Sequence, residues 1–221
     1  MTNVAELDET IEKVFSERLA SAGFTSFKRR KWVRNTKGRI YEFVWVQPLK
    51  GAMYSTAWGL STGHAPAVKR TRFSRPRRLT STLPDLTIDP IDQTGTVSKG
   101  FQFLAGVDTS VPVRAIEASA AYFVPRALKD FDQVHDVQGF CDLFEYRQKL
   151  EYRRFTFFMY VRHRLVSGFV QLLQGRIDSG MAELKAFCET EGLSFEDPAP
   201  RACIDDAVAN ASDPTGAVAG C

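Results

Sequence analysis

Apolar residues Val4, Leu7, Ile11, Val14, Phe15 and Leu19 recur at intervals of three and four, which puts them on one stripe and predicts a helix over residues 4–22. Gly23 supplies its stop. From Phe24 the period falls to two. The run FKRRKWVRN reads as a strand, Asn35-Thr36-Lys37-Gly38 as a turn, and RIYEFVWVQ as the returning strand of a hairpin. The returning run is apolar on both faces, Tyr41, Phe43 and Trp45 against Ile40, Val44 and Val46, so it belongs in the middle of a sheet with Phe43 and Trp45 in or near the core. A third strand follows over Tyr54–Leu60, with Tyr54, Thr56, Trp58 and Leu60 on one face. Ser55, Ala57 and Gly59 form the other, a small-residue face against which the N-terminal helix is expected to pack.

Residues 61–100 are punctuated by Pro66, Pro76, Pro84 and Pro90. A structureless loop of that length is rare inside a compact domain, so short strands are expected at Val68–Phe73 and Leu86–Ile88, with Phe101–Val107 a further candidate. From Thr109 the pattern is helical. Thr109 or Ser110 caps a helix striped by Ile116, Ala120, Phe123 and Val124, which Pro125 bends or ends. A second helix covers Val137–Leu150, with Glu145 and Lys149 as a surface pair four apart. The third, carrying Phe155, Phe158, Met159, Leu165, Val166, Phe169, Leu172 and Leu173, ends at Gly175; a fourth, capped by Asp178 or Ser179, runs to Glu191 and closes at Gly192. The last two read as an antiparallel αα-hairpin. Tyr160, His163, Ser167, Gln171 and Gln174 lie on the polar side of the third helix and read as a wetted surface, while Arg162 interrupts the apolar stripe and calls for an acidic partner or an outward path.

The expected fold class is therefore α+β: an N-terminal helix, an antiparallel β-sheet of about four to six strands, and a C-terminal helical layer. The organisation implied is a helix-plus-sheet part at residues 1–107, a helical part at 108–195 packed on the same unit, and a flexible tail at 196–221, where Ala, Pro, Asp and Gly dominate.

Composition changes the picture in one respect. Formal net charge is only +3, but residues 1–80 carry 16 Lys/Arg against 6 Asp/Glu, whereas residues 81–221 carry 13 against 20. Between Lys28 and Arg78, Glu42 is the only acid among fourteen bases. The amphipathic, acidic N-terminus lacks the basic and apolar regions of a secretory signal, and the longest apolar run, Phe157–Val161, falls far short of a membrane span, so a soluble cytoplasmic protein without membrane contact is expected. Cys141, Cys188, Cys203 and Cys221 are widely separated and suit reduced thiols; His64, His135 and His163 are equally scattered, and neither a metal nor a cofactor site is suggested.

The motif with the most chemistry is Gly59-Trp58-flanked WGLSTGH, in which Gly59-x-Ser61-x-Gly63 has the spacing of a serine-hydrolase nucleophile elbow. An elbow needs a helix immediately after the serine. Pro66, and the restriction it places on Ala65, oppose one, and the preceding strands read as antiparallel. Hydrolysis through Ser61 is the weakest of the functional alternatives, and no catalytic residue is assigned.

Taken together, a helix closing on Gly23-Phe24, the strand Lys31-Trp32-Val33-Arg34, the run Tyr41-Glu42-Phe43-Val44-Trp45-Val46-Gln47, Trp58-Gly59-Leu60-Ser61 and Pro66 resemble the bacterial family called domain of unknown function 4304 over roughly residues 5–100. The resemblance implies a bacterial origin and a sheet strand with its exit at Trp58–Ser61; it implies no activity.

Candidate binding residues fall in KRTRFSRPRR: Lys69, Arg70, Arg72, Arg75, Arg77 and Arg78 as phosphate or carboxylate contacts, with Phe73 available to stack on a base. The favoured reading of this segment is a solvated loop lying against the acidic C-terminal half. The function expected is thus a non-catalytic, protein-binding accessory or immunity-type module that meets an acidic protein partner, and the alternative is a nucleic-acid-associated protein using the basic residues of 28–78.

Overall fold

A computed structural model of the chain describes residues 4–37, 40–49, 53–69, 72–74, 84–88, 110–149 and 163–211. The fold is α+β: an N-terminal helix, a five-stranded antiparallel sheet and then further helices. Helix α1 spans Val4–Ala20. Its predicted stripe is buried at Leu7, Ile11, Phe15 and Leu19, while Val4 is 54% exposed. The helix ends on Gly23 at φ +81°, with Gly23 N–H donating to Ala20 C=O and Phe24 N–H to Leu19 C=O, so that the left-handed residue returns two amides to the last turn and buries Phe24.

Five strands follow in the order β1-β2-β3-β4-β7: β1 Thr25–Lys28, β2 Lys31–Lys37, β3 Ile40–Leu49, β4 Met53–Ser61 and β7 Leu86–Ile88. As expected, β3 is central, and Phe43 and Trp45 are 5% and 6% exposed. The run expected as one strand over FKRRKWVRN is instead two, β1 and β2, folded back antiparallel about Arg29-Arg30. Nothing local to that sequence marks a turn. Its position is set from α1, whose Glu12 accepts the backbone N–H of Arg30 and whose buried Asp8 pairs with Arg29 and Arg30. These contacts hold Arg30 at φ +59°, a left-handed conformation that costs a non-glycine residue about 1 kcal/mol. Val68–Phe73, expected as one strand, is likewise a hairpin of β5 Ala67–Lys69 and β6 Arg72–Ser74 in antiparallel register. Phe101–Val107 lies outside the described residues.

Helix α2, Ser110–Asp132, continues seven residues past Pro125, so of the two expected effects the proline does not end it, and it buries Ala127 and Phe131 beyond that point. The remaining helices are α3 Val137–Lys149, α4 His163–Leu173, α5 Ile177–Glu191 and α6 Pro198–Ala211. The last of these falls inside the span expected as a tail, 196–221, of which 212–221 lie outside the described residues: Cys203, Ile204 and Ala207 are spaced at one and three and turn a buried stripe inward, a pattern that the Ala/Asp-rich composition conceals. Phe155, Phe158, Met159, Tyr160 and Arg162 lie outside the described residues.

The chain divides into two compact units, one of Met1–Arg34, Glu42–Gly59 and Thr87–Asp132, the other of Asn35–Tyr41, Leu60–Leu86 and Gln133–Cys221. Helix α2 thus clusters with α1 and most of the sheet. In this first unit Phe15 stacks on Trp32 with ring centroids 5.4 Å apart, and Trp32 Nε1–H donates to Ser16 at 2.9 Å. The helical bonds of β4 come from its large face and not from the small one. Thr56 and Ser119 share a hydrogen bond at 3.1 Å, and Trp58 donates to Asp130 at 2.8 Å, both partners lying on α2.

In the second unit α4 packs against α3, α5 and α6. The αα-hairpin of α4 and α5 is as predicted, but its seam depends on two glycines: a Cβ at Gly168 would stand 2.6 Å from Leu184 Cγ, and one at Gly180 would stand 2.8 Å from Leu172 Cγ. Helix α5 begins at Ile177 with Arg176 as its uncapped N-cap, so Asp178 lies in the first turn, where its charge meets the positive end of the helix, instead of capping it. Ser167, read as wetted, is buried and accepts from Gln171 Nε2, and Glu145 pairs with Arg176 and not with Lys149. Because the Gly168 seam leaves no room for a methyl, Gly168→Ala is expected to lower stability by about 1–3 kcal/mol. Denaturant titration monitored by circular dichroism checks this, and an unchanged midpoint would show that the helices separate without cost.

Candidate functional site

The segment leaving β4 concentrates polar groups that are ordinarily wet. Ser61, Thr62, His64 and Asp85 are all buried, His64 at 1% exposure. The strand ends because Thr62–Pro66 depart from extended pairing, with Gly63 at φ +70° making the bend, and the next regular element is β5, not a helix. The Ser61 hydroxyl donates to Asp85 Oδ2 at 2.7 Å, and the backbone N–H of Thr62 donates to the same oxygen at 3.1 Å. His64 N–H donates to Thr62 Oγ1 at 3.4 Å, and His64 Nδ1 lies 3.2 Å from Asp206 Oδ2 of α6.

This arrangement assigns the elbow's atoms to other work. Acyl transfer requires a base that removes the serine proton and a free amide on the following residue to hold the oxyanion. Here a carboxylate holds the hydroxyl, and the amide of Thr62 is given to that carboxylate as well. Asp85 acts as a clamp tying the exit of β4 to the entry of β7, and His64 ties the same exit to α6. The sequence places Ser61 at the end of its strand correctly; the partner Asp85, 24 residues on, carries no local signal of its role.

Of the candidate binding residues, Lys69 and Arg72 are cross-strand partners in the β5–β6 hairpin, and Phe73, opposite Val68, is half-buried. Arg70, Arg75, Arg77 and Arg78 lie outside the described residues. Strand β6 packs against α6, which carries Asp205 and Asp206, so the hairpin meets an acidic helix of its own unit.

A second basic cluster was passed over in the sequence. Lys28-Arg29-Arg30-Lys31 closes the β1–β2 hairpin, and β1 is the terminal strand of the sheet with Thr25, Ser26 and Lys28 exposed. Arg29 pairs with Asp8 yet remains 58% exposed, and the Arg30 guanidinium lies over the Tyr54 ring, 5.3 Å from its centroid. Burial, and behind it the charges of Lys28 and Arg30, holds the Lys31 ammonium below the usual lysine value. The missed signal was the run of four bases, hidden inside what read as a continuous strand.

Other titratable groups are packed, not poised. His163 bonds to Gln148 Nε2 at 2.9 Å and stacks on Phe144, and burial lowers its pKa. Cys141, Cys188 and Cys203 are buried thiols outside any disulfide. Burial, with Asp142 and Glu145 nearby, pushes the Cys141 thiol up to about 12. Among the described residues no three His, Cys, Asp or Glu side chains gather as a metal site, and no helix is long and apolar enough to cross a membrane. Comparison with family models, curated proteins and solved structures finds no match.

Ser61→Ala is expected to leave fluorophosphonate labelling at background, as in the wild type, while lowering stability by about 1–3 kcal/mol because Asp85 loses a donor in a buried setting. Serine-specific labelling of the wild type would reverse the assignment. For Cys141 the folded chain keeps its proton at a pH where the unfolded thiol has lost it. Stability should therefore fall as pH rises above the ordinary thiol value of 9.0 towards about 12, and Cys141→Ser should flatten that part of the profile in thermal melts taken across the range.

Proposed function

We propose that the chain is a non-catalytic protein-binding module, of accessory or immunity type, that meets an acidic partner at the basic edge of its sheet. The observation that carries the reading is the exposed terminal strand β1 with Lys28 and Arg29 at its end. The candidate nucleophile supports it from the other side, since Ser61 and the amide of Thr62 are both engaged by Asp85. A cytosolic setting and kinship with the bacterial family that residues 5–100 resemble belong to the same proposal; the reduced state of Cys141, Cys188 and Cys203 suits that setting.

Binding of nucleic acid by the 69–78 segment is the competing reading. It is disfavoured by the packing of β6 on α6, which leaves the short β5–β6 hairpin lying against its own unit. Affinity capture from a lysate of the native organism, with and without nuclease, separates the two: a stoichiometric protein partner that survives nuclease is expected. With purified components, replacing Lys69, Arg70, Arg72, Arg75, Arg77 and Arg78 by Ser should lower the melting temperature modestly, exposed ion pairs contributing roughly 0–1 kcal/mol each. Submicromolar binding of wild-type protein to DNA or RNA at physiological salt, lost in that variant at an unchanged melting temperature, would favour nucleic acid instead.

A further inference from the structure

We propose that β1 is a docking edge for an extended acidic segment of another protein, which adds to the sheet as a further strand. The inference deepens the protein-binding reading and rests on it. The two ends of the sheet are unlike. Strand β7 is buried throughout, whereas β1 leaves Thr25, Ser26 and Lys28 exposed and pairs on one side only, with Val33, Trp32 and Lys31 of β2. In an antiparallel ladder alternate residues turn their N–H and C=O away from the partner, so that among the described residues no strand pairs with the outward main-chain groups of β1.

Charge selects what can pair there. Four consecutive bases, Lys28 to Lys31, stand at the end of the strand. The acids facing them are Asp8 and Glu12 of α1. Asp8 takes both arginines, and the Glu12 carboxylate takes the Arg30 N–H and the Ser26 hydroxyl, so that among the described residues Lys28 and Lys31 have no acidic partner. A second copy of β1 would bring two such clusters together, and like charges across a strand pair repel. Lysine at an edge is a common guard against self-association. The same guard admits an acidic strand, whose carboxylates would offset the clustered charges of Lys28, Arg29, Arg30 and Lys31. Phe27, half-buried and edge-on to Phe43 at 6.1 Å, offers an apolar neighbour to alternate residues of the incoming segment. The occupant thus alternates acidic and apolar residues, main-chain pairing supplying the geometry and side chains the choice.

The test uses the full chain and a fluorescent, end-blocked heptapeptide of alternating Glu and Val. Two further versions carry N-methyl groups on the Glu amides or on the Val amides. Strand addition predicts saturable binding that one methylation pattern abolishes and the other tolerates, because only alternate amides face β1. Lys28→Glu should weaken binding by roughly tenfold or more while the melting temperature holds. Equal binding of all three peptides would reduce the interaction to charge attraction and overturn the proposal, as would the absence of binding. Tighter binding of a single-stranded oligonucleotide, lost in Lys28→Glu, would overturn it in favour of phosphate recognition. The broader reading fails separately: if a nuclease-resistant partner is still captured by Lys28→Glu, the protein-binding module stands and its surface lies elsewhere.

Discussion

One guanidinium holds the first unit together. Arg34 on β2 pairs with Glu42 on β3, donates to the carbonyl of Ala22 at 2.8 Å, and lies 4.8 Å from the centroid of Phe24 and 5.9 Å from that of Phe131. The end of α1, the end of α2 and two neighbouring strands thereby converge on one side chain. Both members of the ion pair are largely buried, at 13% and 2% side-chain exposure. Leaving one such charge alone typically costs about 3–5 kcal/mol, whereas the intact pair contributes much less, so its effect is on arrangement more than on net stability. It makes an incorrect seating of either helix end costly.

The same logic of distant acids fixing local geometry recurs at Asp8, Glu12, Asp85 and Asp206. Each acts across many residues of sequence: Asp85 on the exit of β4, Asp206 on His64, and Glu12 on the turn at Arg30. This is why the regular elements were legible and their junctions were not. The stripes of α1 and α2 and the two-faced apolarity of β3 follow from periodicity, which each segment carries within itself. The β1–β2 turn does not, because Lys28-Arg29-Arg30-Lys31 contains no residue with a turn preference and bends only when α1 is present to receive it. At Pro125, expected to bend or end the helix, the helix continues, since burial of Ala127 and Phe131 outweighs the hydrogen bond the proline removes. Helix α6 was hidden by composition, its few large side chains being enough to fill a narrow seam.

For the candidate site, the sequence identified Ser61 as a strand exit and showed the excess of base, but it could not say which bases would be solvent-facing. Burial decides that. Lys28 and Arg29 stand at a sheet edge, and the β5–β6 hairpin rests beside an acidic helix. The difference arises from topology and burial together, because β1 ends the five-stranded sheet with most of its residues exposed, whereas β7 at the other end is buried throughout.

With the first helix undocked, Arg30 loses the contacts that offset its left-handed conformation, about 1 kcal/mol, so the β1–β2 hairpin and its outer edge are favoured by the seating of α1. Recognition at that edge and correct seating of the helix would then share one requirement.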